Sequence, residues 1–272
     1  SKFNFNEIEK SDIILLGDSI VDSLLASLVD KTKKSNYKIT HMSYSGGLYI
    51  PDYISINELS NKPVSNPLQH DYRKRKLEKF PLNSYIVVSG NYLYYLQKKL
   101  IIDKDNFVLT KNLKIKYVNK NNQNLDYEDR IFQFMNSFKN SLIELSRNFK
   151  VILVYPLPSP PTNLSRHIKN NFFKGLLNDE DYFKKDPINY EKKIYLKVNE
   201  KMINLFDEIS SSNSNIFKIE TKDLFCPKDQ CIFYNNNEVY FFDDVHLSYK
   251  GSEMVNELIL KKINEIDKNN LN

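Results

Sequence analysis

Short runs of consecutive apolar residues recur along the chain, and a turn and a stretch with helical spacing follow each of the strongest. The runs lie at 12–17, 38–40, 85–88, 151–155 and 216–219. Runs of this length are typical of strands buried on both faces in a parallel sheet. Helical spacing is found at about 20–28, 67–80, 126–148, 188–210 and 250–266. The alternation predicts an α/β fold, a three-layer α/β/α sandwich with a mainly parallel sheet of about five strands.

The length of 272 residues favours one domain, 1–272, because larger chains tend to divide. Residues 101–125 are rich in Lys and Asn and predict a surface insertion. Residues 156–186 form a long connection that starts with prolines and has a helical pattern around 166–173. Because this connection follows a strand end, we expect it to cover a substrate site.

The charge pattern argues against a nucleic-acid partner. Net charge is only +5, and basic groups such as Arg73-Lys74-Arg75-Lys76 are spread along the chain rather than gathered into a stripe. Such runs predict solvated helix faces. No segment reaches the roughly 18–20 apolar residues of a membrane span. The chain opens on Ser1-Lys2-Phe3 without Met, which we interpret as a mature form or an excised piece.

The chain has two cysteines, Cys226 and Cys231, separated by four residues. Two cysteines without a nearby His pair do not complete a four-ligand zinc site, and the spacing is not that of a redox C-x-x-C motif. A small disulfide that closes a loop would indicate an oxidising compartment. Two reduced thiols in a loop remain the alternative.

Four short polar motifs fall at predicted strand ends or before the last helix, where ligands of open α/β sheets bind. They are Gly17-Asp18-Ser19, Ser45-Gly46-Gly47, Ser89-Gly90-Asn91 and Asp243-Asp244-Val245-His246. Each alone has a structural interpretation as a turn, a helix cap or a buried histidine.

Taken together, the motifs supply the groups of a serine nucleophile. Ser19 needs a base to remove its proton, and His246 is the usual kind of base near neutral pH. The imidazole needs a carboxylate to fix its tautomer. Asp243, three residues before His246, is better placed for this than the adjacent Asp244. We therefore predict Ser19, His246 and Asp243 as the catalytic residues.

Acyl transfer also creates an oxyanion that needs preorganised hydrogen-bond donors. We predict the backbone N–H of Ser19 at a helix N-terminus, the N–H of Gly46 and the side-chain amide of Asn91 as those donors. Gly47 is the alternative to Gly46. The chemistry requires no metal and no organic cofactor.

These motifs resemble those of the SGNH (GDSL) hydrolase superfamily, in which Ser, Gly, Asn and His are the functional residues. The resemblance implies an SGNH hydrolase-like, flavodoxin-like fold, with Ser19, Gly46, Asn91 and His246 in those four roles and Asp243 completing the triad. The matching segments lie between about residues 12 and 255. The superfamily usually reads Gly-x-Asn in its third motif, whereas Gly90 here directly precedes Asn91.

The C-terminal part is similar to a narrower group, the extracytoplasmic SGNH domains fused to acyltransferase-3 membrane proteins, which O-acetylate bacterial surface polysaccharides. The shared features are the cysteine pair, a short aromatic strand at 239–242 and then the Asp243-x-x-His246 motif. This resemblance implies a periplasmic or cell-surface location, an acylated carbohydrate substrate and association with a membrane acyltransferase domain.

The sequence therefore predicts an ester hydrolase or O-acyltransferase that handles small acyl groups, acetyl above all, on carbohydrate through an acyl-serine intermediate. Three alternatives remain. One is a catalytically degenerate domain that binds glycan. Another is a metal-dependent phosphoesterase that uses Asp18, Asp243 and Asp244 as ligands. The last is a non-enzymatic assembly domain of a polysaccharide system.

Overall fold

The computed structural model describes residues 12–35, 37–63, 68–96, 98–103, 106–111, 115–119, 121, 125–175, 188–235 and 238–269. The strands are β1 Asp12–Gly17, β2 Lys38–Ser43, β3 Tyr53–Asn57, β4 Tyr85–Ser89, β5 Lys98–Asp103, β6 Asn106–Lys111, β7 Ile115–Asn119, β8 Lys150–Val154, β9 Asn189–Glu191, β10 Ile216–Ile219, β11 Gln230–Ile232, β12 Tyr234–Asn235 and β13 Glu238–Val239. The helices are α1 Ser19–Thr32, α2 Gln69–Leu77, α3 Tyr92–Tyr95, α4 Tyr127–Ser146, α5 Leu164–Phe173, α6 Lys192–Ser212, α7 Lys222–Phe225 and α8 Tyr249–Asn269.

Five parallel strands form the central sheet, in the order β10-β8-β4-β1-β2. The α/β fold and the five-stranded parallel sheet predicted from the sequence are confirmed. The pairing of β1 with β2 and β4 aligns Gly17 with both Ser43 and Ser89. The first, second and third polar motifs therefore leave the sheet at the same edge, side by side.

The three inner strands are buried on both faces because their apolar side chains alternate between two cores. Ile13, Leu15 and Val87 face one core, and Ile14 and Leu16 face the other. Helices α1 and α8 cover the first face, and α4 and α6 cover the second. Each large aliphatic or aromatic side chain buried in this way stabilises the fold by about 1.5–3 kcal/mol.

Helices α1 and α8 are also joined by buried polar side chains. The hydroxyl oxygens of Ser27 and Ser252 lie 2.6 Å apart. Asn256 donates from Nδ2 to Ser27 Oγ at 2.6 Å and to the Leu24 carbonyl at 2.8 Å. Because Ser27, Ser252 and Asn256 are fully buried, these contacts hold only when the two helices are in one relative position along their axes.

Most predicted elements lie where the patterns placed them. The helices predicted at 67–80, 126–148 and 250–266 correspond to α2, α4 and α8. The helix predicted at 188–210 begins only at Lys192, because Asn189–Glu191 pairs with β11. None of the described helices has the length and apolar character that a bilayer span requires.

The segment predicted as a surface insertion, 101–125, is partly core. Its strand β7 pairs antiparallel with β3, which the patterns did not predict. Tyr117 and Val118 of β7 are buried, and the Tyr117 ring stacks on Tyr53. The surface interpretation is therefore wrong for β7. Residues 104–105, 112–114, 120 and 122–124 of this segment lie outside the described residues.

Of the connection predicted at 156–186, residues 176–186 lie outside the described part of the chain. The described part contains α5, in agreement with the helical pattern around 166–173.

Candidate functional site

Ser19 is the first residue of α1, directly after the turn that ends β1. Asp18 is the N-cap and accepts a hydrogen bond from the Ile20 N–H at 2.9 Å. The first N–H groups of a helix have no acceptor within the helix, and the helix dipole makes this end electropositive. The turn therefore presents the Ser19 hydroxyl and backbone N–H together at an end of the sheet where anions are stabilised.

The loop before α8 holds Asp243 and His246 in a fixed relation. The Asp243 Oδ1 accepts the N–H groups of Val245 at 2.8 Å and His246 at 2.7 Å. Its Oδ2 lies 2.8 Å from His246 Nδ1. The Phe242 N–H donates to the His246 carbonyl at 2.8 Å and closes the loop. The structure thus places Asp243, the preferred candidate over Asp244, against the imidazole.

Ser19 and His246 meet across 227 residues of sequence. The distance from Ser19 Oγ to His246 Nε2 is 2.8 Å. Because an ionised carboxylate only accepts hydrogen bonds, the proton of the neutral imidazole is assigned to Nδ1, and Nε2 accepts the Ser19 hydroxyl. Burial would raise the pKa of Asp243, but the hydrogen bonds from His246 and Val245 outweigh it and lower the pKa. Asp243 is therefore ionised at neutral pH.

The second motif contributes a tight turn after β2. Gly46 has a φ of +62°, in the left-handed region where a side chain would cause strain. The Gly47 N–H is occupied, because it donates to the Tyr44 carbonyl at 2.9 Å. Of the two candidate glycines, Gly47 therefore lacks a backbone donor for a ligand, and the preference for Gly46 stays a prediction.

Asn91, the residue with the unusual spacing after Gly90, caps the short helix α3. Its backbone N–H donates to Asp18 Oδ2 at 2.9 Å, and its Oδ1 accepts the Tyr94 N–H at 3.4 Å. The side-chain oxygen of Asn91 therefore accepts within its own helix cap. Its side-chain nitrogen is the group that can donate to a ligand.

A small pocket adjoins these groups. It is lined by residues next to Ser19 and His246, by the third motif and by the start of the 156–186 connection, among them Ile20, Asn91, Leu157, Ser159 and Val245. The connection also reaches the Asp243–His246 loop through α5. The backbone N–H of Ser165 donates to the Phe242 carbonyl at 3.2 Å, and the Ser165 hydroxyl donates to the same oxygen.

Asp18 has a larger role than the cap that its position in the sequence indicated. Its carboxylate is 2% exposed and accepts hydrogen bonds from Ile20 N, Asn91 N and the Tyr95 hydroxyl, each at 2.9 Å. Burial raises its pKa against the effect of these bonds. Asp18 therefore joins the first motif to the third, a link between distant segments that no local pattern could reveal.

The remaining candidates from the sequence are the two cysteines and the ligands of a metal site. Cys226 and Cys231 are joined by a disulfide and are fully buried among aromatic side chains. Within the described ranges, no three His, Cys, Asp or Glu side chains gather in a metal-binding arrangement. Asp18 and Asp243, two ligands of the phosphoesterase alternative, are instead engaged in the hydrogen bonds described above.

Comparison with known proteins gives one family and a few similar folds. A family model described as the SGNH domain fused to AT3 domains matches residues 3–261. No curated protein sequence matches the chain. The periplasmic domain of a lipopolysaccharide acetyltransferase from Salmonella ser. Paratyphi A is similar in structure, with a TM-score of 0.55 and 16% identity over 93% of this chain and 84% of that domain.

An acetyl xylan esterase has a TM-score of 0.48 and 13% identity, over 93% of this chain and 99% of the esterase chain. At 16% identity, the likeness to the acetyltransferase domain supports the fold alone. The family model covers nearly the whole chain, from the β1 region into α8. The chain therefore belongs to the family of SGNH domains that are fused to AT3 domains.

Proposed function

We propose that the chain is a serine esterase or O-acyltransferase that handles small acyl groups, acetyl above all, on carbohydrate. The observation that carries this proposal is the continuous hydrogen-bond chain from Ser19 Oγ through the two nitrogens of His246 to Asp243, with both links at 2.8 Å. This chain is the arrangement that converts a serine hydroxyl into a nucleophile.

In the first half of the reaction, Ser19 Oγ attacks the acyl carbonyl carbon while its proton passes to His246 Nε2. Asp243 holds the Nδ1 proton and stabilises the imidazolium that forms. Collapse of the tetrahedral intermediate breaks the bond between the acyl carbon and the alcohol oxygen. His246 returns its proton to that oxygen, and the acyl group stays on Ser19 as an ester.

The tetrahedral intermediate places a negative charge on the former carbonyl oxygen. The Ser19 N–H, the Gly46 N–H and the Asn91 amide are the donors that we assign to it. One such donor is worth about 3–4 kcal/mol in the transition state, or about 100- to 1000-fold in rate. The hydrogen bond that the Asn91 N–H donates to Asp18 supports this role, since it joins the segment of Asn91 to the turn that contains Ser19.

In the second half, His246 removes a proton from the acceptor, which attacks the acyl-Ser19 carbonyl carbon. The bond between that carbon and Ser19 Oγ then breaks, and His246 returns the proton to Ser19 Oγ. Water as acceptor gives hydrolysis, and a sugar hydroxyl gives transfer. The contacts of Ser165 with the Phe242 carbonyl support a role for α5 in shielding the acyl-enzyme from water.

Two comparisons support the carbohydrate and the location. The family consists of domains fused to AT3 domains, and the Salmonella domain is the periplasmic part of a lipopolysaccharide acetyltransferase. We therefore propose an extracytoplasmic domain that works with a membrane AT3 domain and binds an acylated carbohydrate. The buried disulfide fits an oxidising compartment.

The test compares Ser19→Ala with the matched control Ser23→Ala, which removes a hydroxyl from the same helix. The readouts are acetate release from p-nitrophenyl acetate and labelling by a fluorophosphonate. We expect wild type and Ser23→Ala to be active and labelled, and Ser19→Ala to be neither. Full activity in Ser19→Ala would refute the assignment of the nucleophile. A wild-type protein that is never labelled would favour a catalytically degenerate glycan-binding domain.

A further inference from the structure

Arg73 in α2 differs from the basic residues around it. Lys74, Arg75 and Lys76 are exposed, as the sequence predicts for a solvated helix face, whereas Arg73 is fully buried. The expectation of a solvated run is therefore wrong for this one residue. Its side chain enters the protein beneath the turn that contains Gly46.

The Arg73 guanidinium joins two of the segments that form the candidate site. Its Nη1 donates to the Gly47 carbonyl at 2.6 Å, and its Nη2 donates to the Gly17 carbonyl at 2.8 Å. Gly17 directly precedes Asp18-Ser19, and Gly47 directly follows Gly46. The guanidinium carbon also lies 4.6 Å from the centre of the Tyr44 ring, in the same turn.

A second side chain of α2 supports the same turn. Gln69, one helical turn before Arg73, packs so closely on Gly47 that an added Cβ would lie 2.9 Å from its amide. Helix α2 therefore presents a face to the Gly46–Gly47 turn that both contacts its backbone and binds its carbonyl.

Burial of the Arg73 guanidinium carries a desolvation cost that a side chain serving only to fill space would not have. Among the described residues, the Arg73 Nε is buried without a hydrogen-bond partner. Burial lowers the pKa of Arg73 to about 10, although nearby Tyr117, Tyr95, Tyr44 and Asp18 act in the opposite direction. The group stays charged at neutral pH. An apolar side chain of similar volume would avoid the desolvation cost but would leave both carbonyls without this donor.

We infer that Arg73 is a positioning residue that sets the distance between the Ser19 nucleophile and the Gly46 oxyanion donor by holding Gly17 and Gly47. The inference rests on the proposed acyl-transfer function. Asp18 acts in a complementary way on the other side, since it joins the nucleophile turn to Asn91. Arg73 and Asp18 together then fix the relative positions of the three segments that supply the oxyanion donors.

The test uses two variants of Arg73. Arg73→Met keeps most of the side-chain volume without the donors, and Arg73→Lys keeps the charge without the guanidinium that donates to both carbonyl groups. Leu77→Ala is the control, because Leu77 is buried one turn further along α2 and its side chain has no group that could donate to a glycine carbonyl. We expect Arg73→Met to lose about 100-fold in kcat toward p-nitrophenyl acetate with KM within about threefold of wild type. Leu77→Ala should unfold at lower temperature with kcat close to wild type.

Rescue gives a readout that a structural role would not move. Millimolar guanidinium should restore part of the kcat of Arg73→Ala and none of that of Ser19→Ala. A folded Arg73→Met with wild-type kcat would overturn the inference, as would an equal loss of kcat in Leu77→Ala. Where Arg73→Met does not fold, a wild-type kcat in Arg73→Lys overturns it and a loss of kcat at unchanged KM supports it. Absence of fluorophosphonate labelling in wild type would instead refute the proposed function itself.

Discussion

The substitution Gly17→Ala adds one methyl group between the ends of β1 and β4, and it therefore tests how closely the candidate site depends on the distance between those strand ends. A Cβ added there would lie 2.0 Å from the Ser89 carbonyl oxygen and 2.8 Å from a methyl carbon of Val21. Real Cβ atoms essentially never come closer than 3.0 Å, so β1 and β4 must move apart by about 1 Å at this point. The clashing oxygen belongs to the backbone of Ser89, which pairs with Gly17 at the end of a strand that β8 holds on its other side as far as Val88, so it has no flexible end that could turn away.

The displacement acts directly on the site, because Ser19 and Asn91 each follow the clashing residues by two positions. A misplacement of about 1 Å between reacting groups costs about 100-fold in rate. Overpacking of this kind also lowers the free energy of unfolding by about 1–3 kcal/mol. We therefore expect Gly17→Ala to fold, to unfold at lower denaturant concentration and to lose about 100-fold in kcat.

The assay pairs p-nitrophenyl acetate turnover with urea unfolding at the same temperature. Gly175→Ala is the control for turnover, since an added Cβ there meets nothing within 4 Å and the residue lies outside the candidate site. Because Gly175 has a φ of +71°, we expect this variant to lose stability through backbone strain. We expect Gly175→Ala to keep its kcat. If Gly17→Ala were folded and had wild-type turnover, the spacing between the two strand ends would not control the chemistry.

Three further predictions concern the acid and the cysteines. Asp243→Asn should lose about 10³- to 10⁴-fold in kcat because the imidazole tautomer is no longer fixed, while Asp244→Asn keeps most of it; equal losses in both would refute the choice of Asp243. Because the folded-state pKa of Asp243 lies below 3.8, its contribution to stability is complete above that pH and disappears as the pH falls through the folded-state pKa. Urea titrations of wild type and Asp243→Asn should therefore converge in acid, and a constant difference would contradict this. Replacing Cys226 and Cys231 with Ser should cost about 2 kcal/mol of unfolding free energy for so short a loop, and dithiothreitol should destabilise wild type but not the variant.

The sequence was most informative where local pattern and burial coincide. Strands such as β1 and β4 are continuous apolar runs because both of their faces are covered, so a short window identifies them. The pairing of β3 with β7 was missed because each is short and its partner is about 60 residues away. The burial of Tyr117 follows from that long-range pairing rather than from its Lys- and Asn-rich neighbours.

The candidate site shows the same contrast between residues that a local pattern identifies and residues that long-range contacts place. Ser19, Asp243 and His246 stand out because their residue types and spacing fit one chemistry, and the structure brings them within hydrogen-bond distance. Arg73 could not be distinguished from the exposed basic residues beside it. Its partners are carbonyl groups 26 and 56 residues away, and a carbonyl has no sequence signature.

The buried contacts between Ser27, Ser252 and Asn256 have a consequence for the site at the ends of their helices. Ser19 begins α1, and His246 lies three residues before the start of α8. Sliding one helix past the other by a single turn would displace its end by about 5.4 Å, far more than a hydrogen bond tolerates. The polar contacts between the middle of α1 and the first half of α8 therefore prevent sliding, and they preserve an alignment that apolar packing alone would leave adjustable.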